Sequence, residues 1–235
     1  MAQAVHDVVF LPGLNTTAEV WAEVIEALPP SFAGHALDCP ALTTVEAIAT
    51  DLAARTPPRF HLVGFSFGGY VALAMLELFP ERIASLVLVG SAATADNDAQ
   101  RAYRKASLAT VTAGEREASS EAGAALTMHD DTAADPAIMA RYLGMMRAYG
   151  DKRYVAHMLA CLARPDRTSI LSGTATPVLV LSGEQDWVVS TNRQKAAAEA
   201  AHGEWIEIPG AGHQVPLEQP DILTDHLKAW LSQHG

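Results

Sequence analysis

Cysteine is scarce: Cys39 and Cys161 are the only two in 235 residues. Two cannot build a disulfide framework, and neither has a Cys or His partner at metal-ligand spacing, so both read as free thiols in a reducing compartment. Positive charge is also short, with 16 Lys and Arg against 27 Asp and Glu and a formal net charge of −11. That balance opposes attraction to nucleic acid or an anionic membrane surface. No apolar run approaches the roughly 18 residues of a membrane span. The amino terminus enters an apolar strand within a few residues, without a charged leader or a long apolar core. The expectation is a cytoplasmic protein with no membrane insertion and no nucleic-acid partner. Charged residues make up 18% and hydrophobic residues 49%, an ordinary globular composition able to bury a large core. Internal repeats and low-complexity tracts are absent.

What is present centres on Val63-Gly64-Phe65-Ser66-Phe67-Gly68-Gly69-Tyr70. The apolar run Phe60 to Val63 precedes it, and a helix-like run from Val71 to Phe79 follows. A Gly-x-Ser-x-Gly on a sharp strand-to-helix turn pushes the serine hydroxyl out at the carboxyl edge of a sheet. Ser66 is therefore a candidate nucleophile. Such an elbow requires an earlier Gly-containing loop after a strand, an acid after a later strand and a histidine near the carboxyl end. All three occur.

Upstream, Val5 to Leu11 reads as a buried strand running into Pro12-Gly13-Leu14-Asn15. Thr16 with Glu19 forms a capping-box pattern for a helix through Leu28, and Thr43 with Glu46 forms another before Val45, Ile48 and Leu52. Between them, Gly34 to Cys39 reads as a short strand. After the elbow helix, Ile83 to Val89 is a further strand. Strands alternating with helices imply right-handed crossovers and a mainly parallel sheet. From Ala92 to Gly173 the alternation gives way to helical patterns over Ala99 to Val111, Glu115 to Met128, Asp135-Pro136 through Met146, and Tyr154 to Leu162. Residues 1–91 and 174–235 are thus expected to form one α/β core, with 92–173 a helical cap inserted over the sheet's carboxyl edge. Pro177 to Leu181 and Trp205 to Ile208 supply two more strands, with a helix from Ser190 to Ala201 between them and a closing helix from Pro220 to Leu231.

Ser66 needs a base, because a free serine hydroxyl is scarcely nucleophilic near neutral pH. His213 is the histidine set in a loop after a late strand, flanked by Gly210 and Gly212; His129, in the inserted segment, is kept as a residue that could touch substrate. Asp186, beyond the Pro177 to Leu181 strand, suits the acid that orients the imidazole, with Glu184 and Asp38 as alternatives. Backbone N–H groups must hold the oxyanion: Phe67, directly after the nucleophile, and Leu14, after Gly13.

In this order the motifs resemble the α/β-hydrolase family over nearly the whole chain, in particular its small capped esterases and enol-lactonases. The resemblance rests on Leu11-Pro12-Gly13-Leu14, Gly64 to Gly69, Gly183-Glu184-Gln185-Asp186 and Gly210-Ala211-Gly212-His213. It implies a serine hydrolase without cofactor or metal, built on a sheet of about six strands with helices on both faces. The oxyanion loop departs from the family's His-Gly by reading Pro12-Gly13, and the family's first antiparallel strand pair has no counterpart here. The activity implied is cleavage of a small, largely apolar carboxylic ester, thioester or lactone through an acyl-serine. The same residues would also serve C–C bond cleavage, amide hydrolysis or perhydrolysis, and a ligand receptor is the non-catalytic alternative. Five of the seven methionines fall in the inserted segment, where their adaptable side chains suit a pocket wall. Phe65, Trp187, Met128 and Met146 are the side chains expected to line it.

Overall fold

Six parallel strands carry the molecule, as a computed structural model describing residues 5–235 shows. In chain order they are β1 (His6–Leu11), β2 (Phe32–Ala36), β3 (Phe60–Phe65), β4 (Ile83–Val89), β5 (Val178–Gly183) and β6 (Glu204–Ile208), arranged in the sheet as β2-β1-β3-β4-β5-β6. The inner strands are near-continuous Val, Leu and Phe because helices cover both sheet faces, so both alternating sets of side chains are buried. On one face Val9, Leu11, Leu62, Leu86, Leu88 and Val180 pack against α2 (Val45–Ala53), α3 (Phe67–Leu78) and α9 (Thr191–Ala200). On the other, Val8, Phe10, Val63, Phe65, Val87 and Leu181 meet Trp21, α1 (Ala22–Glu26) and α11 (Pro220–His234). The period of two along each strand separates the two cores.

Both expected capping boxes differ from what forms. Thr16 turns its hydroxyl to the Gly13 carbonyl at 3.1 Å, while Asp38, from the far side of β2, accepts the Ala18 N–H at 2.8 Å. A tertiary carboxylate thus does the work assigned to a local threonine. At α2 the cap is Thr44 rather than Thr43, its Oγ1 accepting from the Ala47 N–H at 3.2 Å, and Glu46 pairs with Arg167. The strand expected over Gly34 to Cys39 begins and ends earlier, over Phe32–Ala36.

Between β4 and β5 the chain forms α4 (Asp98–Thr112), α5 (Arg116–Ala122), α6 (Asp130–Ala133), α7 (Pro136–Ala163) and α8 (Thr168–Gly173). Two separately expected helices join as α7, divided by a kink at Gly150 (φ 72°, ψ 163°), and Asp135 caps its start by accepting the Ala137 N–H at 2.8 Å. A buried ion triad ties this segment together. Asp96 accepts Arg104 Nε–H at 2.5 Å and sits 2.9 Å from Arg164 Nη1, with no exposure of its own side chain. Burial alone would raise the Asp96 carboxyl, but hydrogen bonds and charge from the two guanidiniums outweigh it and hold it below the usual value of 3.8.

A depressed native pKa means the unfolded chain binds the extra proton. The contribution is therefore complete above about pH 3.9 and is lost as the pH falls through the native value. Urea midpoints measured between pH 5 and pH 2.5 are expected to fall with acidification, and to fall less steeply in Asp96→Asn, which cannot ionise. An equally steep fall in the variant would remove Asp96 from the acid response.

Candidate active site

The elbow is built by close backbone approach. Ser66 links β3 to α3 with φ 49° and ψ −110°, a sparsely populated conformation that costs roughly 1–3 kcal/mol and persists because its surroundings hold it. Those surroundings are the Val89 carbonyl, which accepts the Ser66 N–H at 2.8 Å, and the Ser91 hydroxyl, which donates to the Ser66 carbonyl at 2.9 Å. Gly68 is required because a Cβ there would lie 2.4 Å from the Leu11 carbonyl oxygen. The elbow helix can then sit directly against the end of β1.

Three expected residues come together at this edge. Ser66 Oγ lies 2.9 Å from His213 Nε2, and His213 Nδ1 lies 2.9 Å from Asp186 Oδ2. Asp186 and His213 are buried. Glu184 and Asp38 are occupied elsewhere, Glu184 accepting the Gly210 N–H at 3.0 Å and Asp38 capping Ala18.

Asp186 is saturated. Its Oδ1 accepts the N–H groups of Val188 (2.9 Å) and Val189 (2.8 Å), and its Oδ2 accepts Gln194 Nε2–H at 2.9 Å beside the imidazole. The amide of Gln194 is itself oriented: Trp205 Nε1–H donates to Ser182 Oγ at 2.9 Å, so the Ser182 hydroxyl proton goes to Gln194 Oε1 at 3.0 Å. A chain of donors thus runs from Trp205 to the carboxylate. Sequence reasoning missed Gln194, although a signal existed: it lies on the face of α9 that buries Ala197 and Ala198, at helical spacing, and a buried polar residue must have partners.

Glu218 was missed as well. One carboxylate oxygen accepts the N–H groups of Gly212 (3.0 Å) and Gln214 (2.8 Å), and the other accepts that of His129 at 2.7 Å. Burial raises its pKa, and the three backbone donors offset that only in part. It clamps the residues on both sides of His213 to the helical segment, and its neighbours form the short helix α10 (Val215–Glu218).

Ser66, His213, Leu14 and Phe67 share a cavity of about 200 Å³. Tyr70, Tyr142, Val188, Val189, Asn15 and Gln214 complete much of its wall. The Phe67 N–H belongs to the first turn of α3, where no earlier turn supplies an acceptor, and the Leu14 loop is closed by Thr16 bonding to Gly13. Behind Phe67, His157 stacks on its ring at 4.4 Å, held between the Tyr149 hydroxyl and the Pro40 carbonyl. Burial lowers the His157 pKa to about 4, so it is a neutral wall.

The four expected lining residues divide. Trp187, 81% exposed, and Met128 border a wider groove of about 830 Å³ that shares Gln100, Tyr103, Thr127 and Val188 with the inner cavity. Phe65 and Met146 are off the wall. Phe65 points to the opposite sheet face, beneath Gly13 and 5.3 Å from the His213 ring, because residues 63 and 65 of a strand share a face. Met146 is fully buried.

The sequence model described as the alpha/beta hydrolase family matches residues 8–225. The chain belongs to that family. Over 93 residues it is 36% identical to a pimeloyl-[acyl-carrier protein] methyl ester esterase of Nitrosomonas europaea, a match spanning 36% of this chain and 37% of that relative. Among solved structures, a thermophilic esterase from Thermogutta terrifontis, determined with malate bound, is 25% identical with a TM-score of 0.89, covering 99% of this chain and 92% of that one. The enol-lactonase from Burkholderia xenovorans LB400 shares the fold at a TM-score of 0.85 and 20% identity, covering 97% and 92%. The six-stranded parallel sheet is thus an alpha/beta hydrolase core. Among the described residues no helix is long and apolar enough to cross a membrane, and no group of three or more His, Cys, Asp or Glu is placed to hold a metal ion.

Proposed function

We propose that this hydrolase cleaves a small carboxylic ester, or a related thioester or lactone, through an acyl-serine intermediate. The observation that carries the reading is Ser66 Oγ at 2.9 Å from an imidazole whose far nitrogen meets a saturated carboxylate. His213 Nε2 takes the Ser66 proton as Oγ attacks the carbonyl, and the Leu14 and Phe67 N–H groups stabilise the oxyanion. The imidazolium, stabilised by Asp186, returns the proton to the departing alcohol. Water, deprotonated by the same histidine, then attacks the acyl carbonyl, and the imidazolium returns that proton to Ser66 Oγ as the acid leaves. Residues 92–173 act as a cap that closes the inner cavity, while the groove bordered by Met128 and Trp187 admits the larger part of the substrate.

The esterase and lactonase relatives support an ester-type electrophile. The net charge of −11 supports a small molecule over nucleic acid as the partner, and two buried free thiols support a reducing, cytoplasmic setting. Short-chain 4-nitrophenyl esters are expected to be hydrolysed at a rate proportional to protein, and one equivalent of a fluorophosphonate is expected to abolish that rate. Hydrolysis surviving full labelling would overturn the assignment.

A further inference from the structure

The cavity beside Ser66 carries one positive charge with no carboxylate on its own wall. Arg104, from α4, lines it together with Ser66, Phe67 and Tyr70, and no Asp or Glu does. Arg104 and Arg164 share the single carboxylate of Asp96. Counted by direct ion pairs, two guanidiniums against one carboxylate leave an excess of one charge. Arg164 cannot offer it: its side chain is 2% exposed, lies 3.8 Å from the centre of the Tyr70 ring, and donates to the carbonyls of Cys161 and Thr94. The Arg104 side chain is 14% exposed. It gives Nε–H and one Nη2–H to Asp96, at 2.5 and 3.3 Å, and makes a long contact of 3.7 Å from Nη1 to the Met158 sulfur. A guanidinium has five N–H groups, so two remain for a ligand. Of the other carboxylates near the site, Asp186 is held by four donors and Glu218, behind the His213 loop, by three backbone N–H groups.

From this placement we propose that Arg104 binds a carboxylate carried by the substrate, making the preferred ester a monoester of a short dicarboxylic acid. The inference rests on the ester-cleavage reading of Ser66 and extends it to the acyl group. The planar fork matches the two oxygens of a carboxylate, and one excess charge balances a monoanion. A cavity of about 200 Å³ limits the chain to a few methylenes, which Leu14, Phe67 and Val189 can cover. Asn15 Oδ1 and Gln214 Oε1, buried without partners among the described residues, line the same cavity and can accept from a bound water or the ligand.

The test compares monomethyl adipate with methyl hexanoate, and measures adipate binding by calorimetry, for the native protein, Arg104→Met and Arg104→Lys. The native ratio of kcat/KM is expected to favour the monoanion by about tenfold or more, to collapse toward one in Arg104→Met, and to be partly kept in Arg104→Lys. A ratio is compared because loss of the Asp96 contact could lower the amount of folded variant. In the native protein alone, adipate should slow fluorophosphonate labelling of Ser66, less so at high salt, while hexanamide should not. A native ratio near one without adipate binding would overturn the inference, as would a preference that Arg104→Met retains. If Ser66 stays unlabelled and neither ester is cleaved, adipate binding that is lost in Arg104→Met would uphold the anion site while the ester reading falls; no binding would overturn the site too.

Discussion

Asparagine in place of Asp186 is expected to lower kcat by about four orders of magnitude while the fold survives. The argument follows from the donors around the carboxylate. Two backbone N–H groups, those of Val188 and Val189, hold Oδ1, so the asparagine carbonyl oxygen must take that position. Its NH₂ then faces Gln194 Nε2 and His213 Nδ1, donor against donor. Gln194 cannot turn over, because the Ser182 hydroxyl, fixed by Trp205, donates to its other end. His213 must yield by moving its proton from Nδ1 to Nε2. Nε2 is then unable to accept the Ser66 proton, although every heavy atom stays near its place. Initial rates at saturating ester, with circular dichroism as the fold control, measure this; a loss below about tenfold would show that Asp186 does not set the tautomer.

The second large effect concerns stability. A Cβ on Gly183 would lie 1.8 Å from the Gly212 carbonyl oxygen and 2.8 Å from that of Ala211. The loop cannot simply retreat, since Glu184 N–H bonds to the Ile208 carbonyl (3.0 Å) and Gln185 N–H to the Ala211 carbonyl (2.9 Å). Gly183→Ala is therefore expected to cost about 3 kcal/mol or more and to lower Tm by roughly 6–12 °C. It should also slow turnover by about a hundredfold, because the loop that moves is the one that places His213. Thermal unfolding and steady-state rates check the two halves, and an unchanged Tm would contradict the packing described.

The inner strands were legible because parallel strands between two helical layers must be apolar on both sides, which leaves continuous runs such as Leu86 to Val89; β2, half-buried at the sheet edge, was placed too late in the chain. The elbow, Asp186 and His213 were legible because each sits where a strand ends in a glycine-containing turn. What stayed hidden depends on partners distant in sequence. The pattern at Thr16 is locally sufficient for a capping box, yet Asp38 arrives from beyond β2 and takes the N–H. Arg104 lies among Arg101, Lys105 and other surface residues of α4, and nothing local separates it from a solvated charge. Its position depends on Asp96 and Arg164, which fold onto it from either end of the helical segment. Phe65 is different, since the strand period alone turns it away from the cavity, and its closeness in sequence to Ser66 misled. Met146 was expected there from composition, which cannot distinguish the core of the helical segment from a pocket wall.

Intact mass after fluorophosphonate treatment, comparing the native chain with Ser66→Ala, tests the central claim most directly. A single adduct on the native protein, mapped to the peptide containing Ser66 and absent from the variant, is the result expected from an activated serine facing a formed oxyanion site. A folded native protein that remains unlabelled, or an adduct that persists in Ser66→Ala, would contradict it.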